Sequence, residues 1–335
     1  MHRNFCTIFN ATYLVRGLAL IDSLAKHCPD HRIHVFAMDE QTATLLRELK
    51  RPQVVVVTPA EFETPELLRV KPSRGMGEYF WTCTPHIIRH CLQVLGCAEC
   101  TYVDADVWLL SDPEPVFEEM GDAAVLLTEH RYTPKHDQAA LSGRYCVQFM
   151  RFVANDRGLA ALQWWCDRCI EWCFARREDG KFGDQKYLDD WTSRFEGVHV
   201  STHVGAGIAP WNAGRTEFRE VAGQVQVRDP GDPAWGDWRP LVFFHFHGLM
   251  SYSEDQLCYA FGYHLPAGAK RWVYAPYALQ LQHWYGQLQR RLQGLAARGP
   301  APGASYNEPW PKRLARRLWG LPNTVSLRRL AVRRG

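Results

Sequence analysis

No apolar run in the 335-residue sequence approaches the ~20 residues that a membrane-spanning helix needs. The chain also begins without the pattern of a secretory signal peptide, since Met1-His2-Arg3-Asn4 leads directly into a strand-like apolar stretch. The eleven cysteines are scattered and odd in number, unlike a secreted disulfide framework. We therefore expect a protein of the reducing cytoplasm whose thiols are free.

The first strand-to-helix turn lacks Gly-x-Gly-x-x-Gly, the fingerprint of nicotinamide-binding domains. Asn10-Ala11-Thr12-Tyr13 stands there instead. Internal repeats and low-complexity tracts are also missing. A dehydrogenase of the usual kind and a repeat protein are therefore both disfavoured.

Paired cysteines of the kind that bind zinc are incomplete. Cys97-x-x-Cys100 and Cys166-x-x-Cys169, followed by Cys173, have suggestive spacings, but neither set has a matching second pair in the sequence. The second set also falls in a Trp-rich helical pattern. We therefore expect buried thiols rather than structural zinc.

The first 60 residues alternate between short apolar runs and stretches in which apolar residues recur with helical periodicity. This pattern predicts strands over 5–10, 33–38 and 54–58 and helices over 14–27 and 40–50, with Asp39 as a cap of the second helix. Further strands are predicted over 123–128, 146–152 and 242–246, and helices over 78–95, 156–175 and 277–297. This alternation is typical of an α/β protein with a parallel sheet.

Two carboxylates stand one residue apart where a buried strand ends, in Tyr102-Val103-Asp104-Ala105-Asp106. Ligands bind at the carboxyl ends of strands in open α/β sheets. Carboxylate oxygens there can hold a hard divalent cation such as Mg2+ or Mn2+, which in turn can hold a diphosphate. The alternative is a pair of solvated turn residues.

Two other stretches contain residue types that suit a diphosphate or a metal ion. Lys71-Pro72-Ser73-Arg74-Gly75 puts cations just before a predicted helix, which suits a diphosphate, although it can also be a solvated loop. A late strand ends in His245-Phe246-His247-Gly248 and offers a nitrogen ligand. His245 and His247 share one face of the strand, so the sequence leaves open which of them ligates a metal.

Taken together, these stretches resemble GT-A fold glycosyltransferases over about residues 3–250. The similarity is to the glycogenin-like and lipopolysaccharide-sugar transferases and to bacterial nucleotide-diphospho-sugar transferases. The motifs that carry it are Tyr13-Leu14-Val15-Arg16-Gly17-Leu18, Lys71-Pro72-Ser73-Arg74, Glu78-Tyr79-Phe80-Trp81-Thr82, Tyr102-Val103-Asp104-Ala105-Asp106, Phe182-Gly183-Asp184-Gln185-Lys186-Tyr187-Leu188 and Phe244-His245-Phe246-His247-Gly248.

The resemblance implies a GT-A domain over 1–275, a mostly parallel sheet with helices on both faces. An amphipathic carboxyl-terminal helix over 276–298 and a Pro/Gly linker with a basic tail over 299–335 follow it. The resemblance implies that the metal ligands are Asp104, Asp106 and His245. It implies that Asp184 and Gln185 lie at the donor sugar and reaction centre. The residues that it implies at the nucleotide are Thr7, Phe9, Asn10, Tyr13, Lys71, Arg74 and again Asp104. Tyr13 can instead only staple the first helix, and Asp184 can instead be a helix cap.

The sequence departs from the family pattern in three places. Tyr145-Cys146-Val147-Gln148 stands where Tyr-Asn-Val-Gly is common, and Gly207 where an Asn is common. No Lys follows the late histidine motif, which continues Leu249-Met250-Ser251. Lys71, Arg74 or a loop residue such as Arg131 or Lys135 would then have to meet the diphosphate, or donor binding would be weaker.

We expect a metal-dependent glycosyltransferase, retaining by the resemblance, that uses Mn2+ or Mg2+ and a nucleotide-sugar donor, most simply a UDP-sugar. The alternatives are a sugar-phosphate nucleotidyltransferase, which would want an early Gly-rich loop that is missing, and a non-catalytic nucleotide-sugar-binding module. The acceptor would be a glycan or a lipid-linked sugar.

Residues 311–335 contain eight Lys or Arg and no acid, interleaved with Leu and Trp, whereas the rest of the chain is mildly acidic. Such a tail can dock on an anionic inner-membrane surface, or can be solvated. No nucleic-acid-binding motif accompanies it.

Overall fold

The computed structural model describes residues 2–253, 256–260, 262–288 and 324–326, the backbone alone being described at 251–253, 256–258 and 324–326. The strands are β1 Arg3–Phe9, β2 His31–Ala37, β3 Val54–Val57, β4 Glu99–Val103, β5 Val107–Leu109, β6 Val125–Glu129, β7 Tyr145–Val153, β8 Val198–Val200, β9 Glu217–Val221, β10 Gln224–Arg228, β11 Arg239–Pro240, β12 Phe243–His245, β13 Met250–Ser253, β14 Gln256–Cys258 and β15 Thr324–Ser326. The α-helices are α1 Leu14–His27, α2 Glu40–Glu48, α3 Pro59–Phe62, α4 Pro65–Val70, α5 Met76–Gln93, α6 Glu114–Glu118, α7 Ala139–Ser142, α8 Asp156–Glu171, α9 Trp191–Arg194, α10 Ala267–Ala269 and α11 Ala275–Leu288.

A seven-stranded sheet in the order β3-β2-β1-β4-β7-β6-β8 forms the centre of the molecule. Its first four strands are parallel, β7 is antiparallel to both neighbours, and β8 is parallel to β6. The predicted β-α-β-α-β start is observed as β1-α1-β2-α2-β3. The predicted α/β class, with a mostly parallel sheet, is therefore confirmed.

Each face of this sheet is covered by helices and has its own apolar core. One core contains Leu18 of α1 and Leu45 of α2. The other contains Ile87 of α5 and Trp165 of α8. Helices on both faces follow from the right-handed crossovers that connect parallel strands.

Local sequence explains where the first two helices lie. The Asp39 carboxylate accepts a hydrogen bond from the Thr42 amide at 2.7 Å, so the expected cap of α2 is present. In α1, Gly17 faces the ring of Phe9, and a Cβ there would stand 2.4 Å from that ring. The absence of a side chain at Gly17 thus lets α1 pack directly on the end of β1.

The later part of the chain adds to this core. β12 pairs antiparallel with β5, and β9, β10 and β11 form a separate small sheet. Helix α11 packs on α1, where the Trp284 indole donates to Asp22 at 2.6 Å. The predicted helix over 277–297 is therefore observed up to Leu288, and its remainder lies outside the described residues.

Among the described residues, no helix combines the length and the apolar character that would let it cross a membrane. Most of the predicted basic tail over 311–335 lies outside them. Its described portion, Thr324–Ser326, forms strand β15 and pairs with β14.

Candidate functional site

The turn that carries the two carboxylates connects β4 with β5. Its backbone is held by the Val107 amide, which donates to the Asp104 carbonyl at 3.0 Å, and by the Asp104 amide, which donates to the Gln148 carbonyl of β7 at 3.0 Å. The Tyr102 hydroxyl donates to the Asp104 carboxylate at 2.7 Å. The turn therefore has a fixed shape, and both carboxylates are partly buried.

His245 reaches this turn through the pairing of β12 with β5, in which His245 stands opposite Val107. Its Nε2 lies 3.2 Å from a carboxylate oxygen of Asp106 and 3.8 Å from one of Asp104. Ligand atoms of all three side chains lie within 4.8 Å of one another, although the residues are up to 141 positions apart. His247 is exposed and stands outside this group, its ring 6.0 Å from that of His245.

The buried side chain of Gln148 fixes the ring of His245. Nδ1 of His245 lies 2.8 Å from the Gln148 amide oxygen, and the Gln148 amide nitrogen donates to the Thr128 hydroxyl at 3.3 Å. Because an amide oxygen can only accept, Nδ1 carries a proton and Nε2 is the atom presented to the carboxylates. This is how metal-ligating histidines are oriented.

The charges of this group are mutually dependent. Burial alone would lower the pKa of His245, but Asp106 and then Asp104 raise it well above its ordinary value. Burial would raise the pKa of Asp106, but His245 and Arg16 bring it down to about 2. Burial also raises the pKa of Asp104, against the effect of His245. Each carboxylate thus interacts with the imidazole, and Asp106 also raises the pKa of Asp104, a repulsion that a bound cation would relieve.

These three residues form part of the wall of a cavity of 550 Å³. The cavity is bounded by the carboxyl ends of β1 and β4, the start of α5, and segments near 130–147 and 182–185. Its lining residues are Ile8, Phe9, Tyr13, Gly77, Phe80, Trp81, Thr84, Tyr102, Asp104, Ala105, Asp106, His130, Tyr132, Gln138, Ser142, Cys146, Val147, Phe182, Gly183, Asp184, Gln185, Trp211, His245, His247 and Tyr263.

Asp184 and Gln185 lie in this wall, and their role at the donor sugar stays a prediction. The Trp165 indole donates to the Asp184 carbonyl at 2.9 Å, and the Gln185 amide donates to the Ser142 carbonyl at 2.6 Å. Asp184 occupies the position before a short helical turn but makes no side-chain cap. Burial, and then the charge of Asp104, raise the pKa of Asp184 well above its ordinary value.

Of the residues at the end of the first strand and just after it that were expected at the nucleotide, some line the cavity and others do not. Phe9 and Tyr13 line the cavity, and the Arg16 guanidinium lies 4.5 Å from the Tyr13 ring. The Asn10 side chain accepts from the Thr12 hydroxyl at 2.6 Å. Thr7 is fully buried behind the wall and does not line the cavity.

Neither Lys71 nor Arg74, the cations expected at a diphosphate, reaches the cavity wall. Lys71 pairs with Glu63 at 2.6 Å. Arg74 donates to the Ile170 carbonyl at 3.1 Å and lies over the Phe174 ring. Arg131 and Lys135 are also missing from the lining, which contains no Lys or Arg within the described ranges. The phosphate-binding roles of Lys71 and Arg74 therefore stay predictions.

Gln148 and Arg16 are the site residues that sequence reasoning missed. Gln148 appeared only as a departure from a family pattern, yet it holds His245. Arg16 was part of a quoted motif, and its guanidinium donates to the Leu249 carbonyl at 2.7 Å while acting electrostatically on Asp106. No sequence signal could have shown either contact, since each joins segments far apart in the chain.

Comparison with known proteins places the chain in a family and a fold. No family model matches it. It is 31% identical to the uncharacterized protein YfnD of Bacillus subtilis over 302 residues, covering 88% of this chain and 93% of YfnD. It is 33% identical to the uncharacterized protein YfnF of the same organism over 261 residues, covering 76% of this chain and 84% of YfnF.

Among solved structures, it superposes on the galactosyltransferase LgtC in complex with donor and acceptor sugar analogs with a TM-score of 0.52 at 13% identity, over 87% of this chain and 99% of LgtC. Superposition on a structure of an LgtC active-site mutant gives a TM-score of 0.53 at 12% identity, over 85% of this chain and 95% of the mutant chain. The chain therefore belongs to the family of YfnD and YfnF, and its fold is the GT-A fold that LgtC has.

Proposed function

We propose that the protein is a metal-dependent glycosyltransferase, which moves a sugar from a nucleotide-sugar donor to an acceptor glycan or lipid-linked sugar. The observation that carries the proposal is the group formed by Asp104, Asp106 and His245 in the wall of a 550 Å³ cavity. A cavity of this volume is in the range of small-molecule sites. The GT-A fold supports the proposal.

The side chains fit a divalent cation. Two carboxylates offer oxygen ligands, and the Nε2 of His245 is presented because Nδ1 is bonded to Gln148. Oxygen ligands suit Mg2+ and Mn2+, and the added imidazole favours Mn2+ of the two. When bound, the cation supplies neutralising charge for the diphosphate of the leaving nucleotide.

Side chains of the protein would bind the parts of the donor that the cation does not contact. Tyr13, with 40% of its area exposed, offers an aromatic surface for the nucleobase at the cavity entrance. Because no Lys or Arg lines the cavity in the described residues, the bound cation would carry most of the compensation of diphosphate charge. We therefore propose a strict dependence of donor binding on the metal.

Asp184 and Gln185 would act at the sugar. Both lie in the cavity wall, and Asp184 is close enough to Asp104 for its charge to act on it. Charge bound at Asp104 would offset that repulsion and favour the ionised form of Asp184. An ionised carboxylate and an amide on one side of the ring can stabilise the positive charge that develops at the anomeric carbon. We propose that transfer retains configuration.

Aromatic side chains of the cavity wall lie beside His245 and suit the acceptor. The His130 and Tyr132 rings stack at 4.6 Å, and the Trp211 ring lies 5.3 Å from that of His245. Sugar rings present C–H faces that pack against aromatic faces. The acceptor would therefore enter beside Tyr132 and Trp211.

The test is a nucleotide-sugar panel, covering UDP-, GDP-, ADP- and dTDP-sugars, incubated with the full-length protein with Mn2+, with Mg2+ or with EDTA. Metal-dependent release of nucleoside diphosphate from one donor supports a transferase. Release of diphosphate from a nucleoside triphosphate and a sugar phosphate would support a nucleotidyltransferase instead. Metal-dependent binding without turnover on any donor and added acceptor would indicate a binding module.

A matched pair of variants makes the panel specific. Asp106→Ala removes a carboxylate from the metal group, whereas Asp122→Ala removes an exposed carboxylate that does not line the cavity. The first should abolish metal-dependent donor binding and the second should leave it unchanged. Equal binding by both variants would contradict the assignment of the metal ligands.

A further inference from the structure

A second group of metal-type side chains lies outside the cavity, within the apolar core. In the part of the chain that the structure describes, only two groups bring three or more such ligand atoms within 4.8 Å of one another. One is the group at the cavity. The other consists of Cys6, Cys91 and Cys100, none of which has any exposed area.

Sheet register explains how these thiols converge. Cys6 of β1 stands beside His34 of β2 and beside Tyr102 of β4. Cys100 precedes Tyr102 by two residues and therefore points to the same face. Helix α5 covers that face and contributes Cys91 from the other side. Three separate elements thus deliver one sulfur each to a common point.

A buried imidazole, His34, lies opposite Cys6 in the pairing of β1 with β2 and outside the group of three thiols. His34 is 4% exposed, and its Nε2 lies 3.6 Å from the Cys97 sulfur. Its Nδ1 is buried and has no hydrogen-bond partner in the described structure. An unpaired polar atom in a core is costly, so a bound ligand at Nδ1 would remove a penalty that the fold otherwise carries.

We propose that Cys6, Cys91 and Cys100, with His34 as fourth ligand, form a structural site for a thiophilic divalent cation, which is zinc in a cell. Three thiolates and one imidazole are an established closed set for structural zinc. With Zn–S bonds of about 2.3 Å, neighbouring sulfurs in a tetrahedral site stand about 3.8 Å apart. The three sulfurs, all within 4.8 Å of one another, require a contraction of no more than about 1 Å to reach this geometry. The His34 ring, which lies beside Cys6 in the sheet but outside that group, would turn toward them on binding.

Such a site would hold together the elements that build the cavity. β1 continues from Cys6 to Phe9, and β4 continues from Cys100 to Asp104. Helix α5 carries the cavity residue Trp81 as well as Cys91. A cation binding all three elements would fix the Asp104 turn relative to the wall opposite it. Of the Cys97-x-x-Cys100 pair only Cys100 belongs to the proposed set, whose other two sulfurs come from β1 and α5.

The test is the metal content of the full-length protein, produced without a metal-binding tag in zinc-supplemented cells and dialysed against EDTA. Because the thiols are fully buried, we expect one zinc ion per chain to be retained. Cobalt-loaded protein should show thiolate-to-cobalt charge-transfer absorption in the near ultraviolet. Denatured, zinc-free protein should titrate eleven free thiols, which distinguishes metal ligation from a disulfide.

Variants locate the site. Cys100→Ala should lose the retained zinc, and His34→Gln should lose zinc or alter the cobalt spectrum. Cys166→Ala, a buried thiol outside the group, and Asp106→Ala, at the cavity, should retain both. Wild-type protein without retained zinc and without a cobalt–thiolate band overturns the proposal, whatever the variants do. Full zinc retention in soluble Cys100→Ala protein also overturns it.

Discussion

Replacing Gln148 with Leu tests whether the metal group is organised as its geometry suggests. The substitution keeps side-chain bulk but removes the acceptor that lies 2.8 Å from Nδ1 of His245. Without that acceptor the ring can rotate or adopt the other tautomer, in which Nε2 carries the proton. Nε2 would then no longer be presented as a lone pair beside Asp106.

Loss of a hydrogen-bond partner behind a metal-ligating histidine costs about 10- to 100-fold in metal affinity. This corresponds to about 1.4–2.7 kcal/mol of binding free energy. The same change leaves Nδ1 of His245 buried and unpaired, which costs about 1–3 kcal/mol in the free energy of unfolding. We therefore expect Gln148→Leu to bind Mn2+ 10- to 100-fold more weakly while remaining folded at 25 °C.

The assay is titration of free Mn2+ by electron paramagnetic resonance, with and without UDP, on protein whose folding is checked by circular dichroism. Gln148→Glu keeps an acceptor at the same place and should recover most of the affinity. Gln163→Leu, which removes an exposed glutamine bonded to Asp167, is the matched control. Wild-type Mn2+ affinity in folded Gln148→Leu protein would refute the role of Gln148.

Three further predictions concern pH, turnover and the tail. The pKa of His245 in the folded protein is raised above its ordinary value of 6.5 by its ion pair with Asp106. That ion pair therefore stabilises the metal-free protein fully at pH values below 6.5, and the stabilisation is lost as the pH rises through the higher folded-state pKa. Since the metal competes with that proton, the increase in Tm caused by Mn2+ should grow between pH 6 and 8, and a constant increase would contradict the pairing. Asp184→Asn and Gln185→Ala should lower kcat at least ~10²-fold with little change in donor affinity, measured by steady-state kinetics and calorimetry; weaker donor binding at normal kcat would make them binding residues. Full-length protein should pellet with anionic vesicles at low salt and a 1–305 form should not; equal, negligible pelleting would exclude docking through the tail.

The sequence predicted those features that depend on local pattern. The periodicity of apolar residues predicted the β-α-β-α-β start, and Asp39 was predicted to cap α2. The structure confirms both predictions. The Asp104-x-Asp106 pair marked a sheet edge because an apolar strand preceded it. The late histidine was expected there, but the pairing of β12 with β5 was needed to separate His245 from His247.

What the sequence could not provide were contacts between distant segments. Lys71 and Arg74 were expected at a phosphate because they precede a helix; their observed contacts are with Glu63 and the Ile170 carbonyl, and their role stays a prediction. The expected buried, free thiols at Cys97 and Cys100 are observed, but the approach of Cys100 to Cys6 and Cys91 was not visible because the three lie on different elements. Such sets are defined by strand register and helix packing, which no spacing within one segment encodes.

Two departures from the family pattern are related to each other in space. Gly207 has φ +80°, and a Cβ there would stand 3.0 Å from the Gln148 amide nitrogen. A larger residue at 207 would therefore press on the side chain that orients His245, so glycine at 207 makes room for glutamine at 148. Each change alone looks like decay of a catalytic site, whereas together they give His245 a hydrogen-bond partner. The two departures are thus linked through the side chain that positions His245, in the group that we propose to bind a metal.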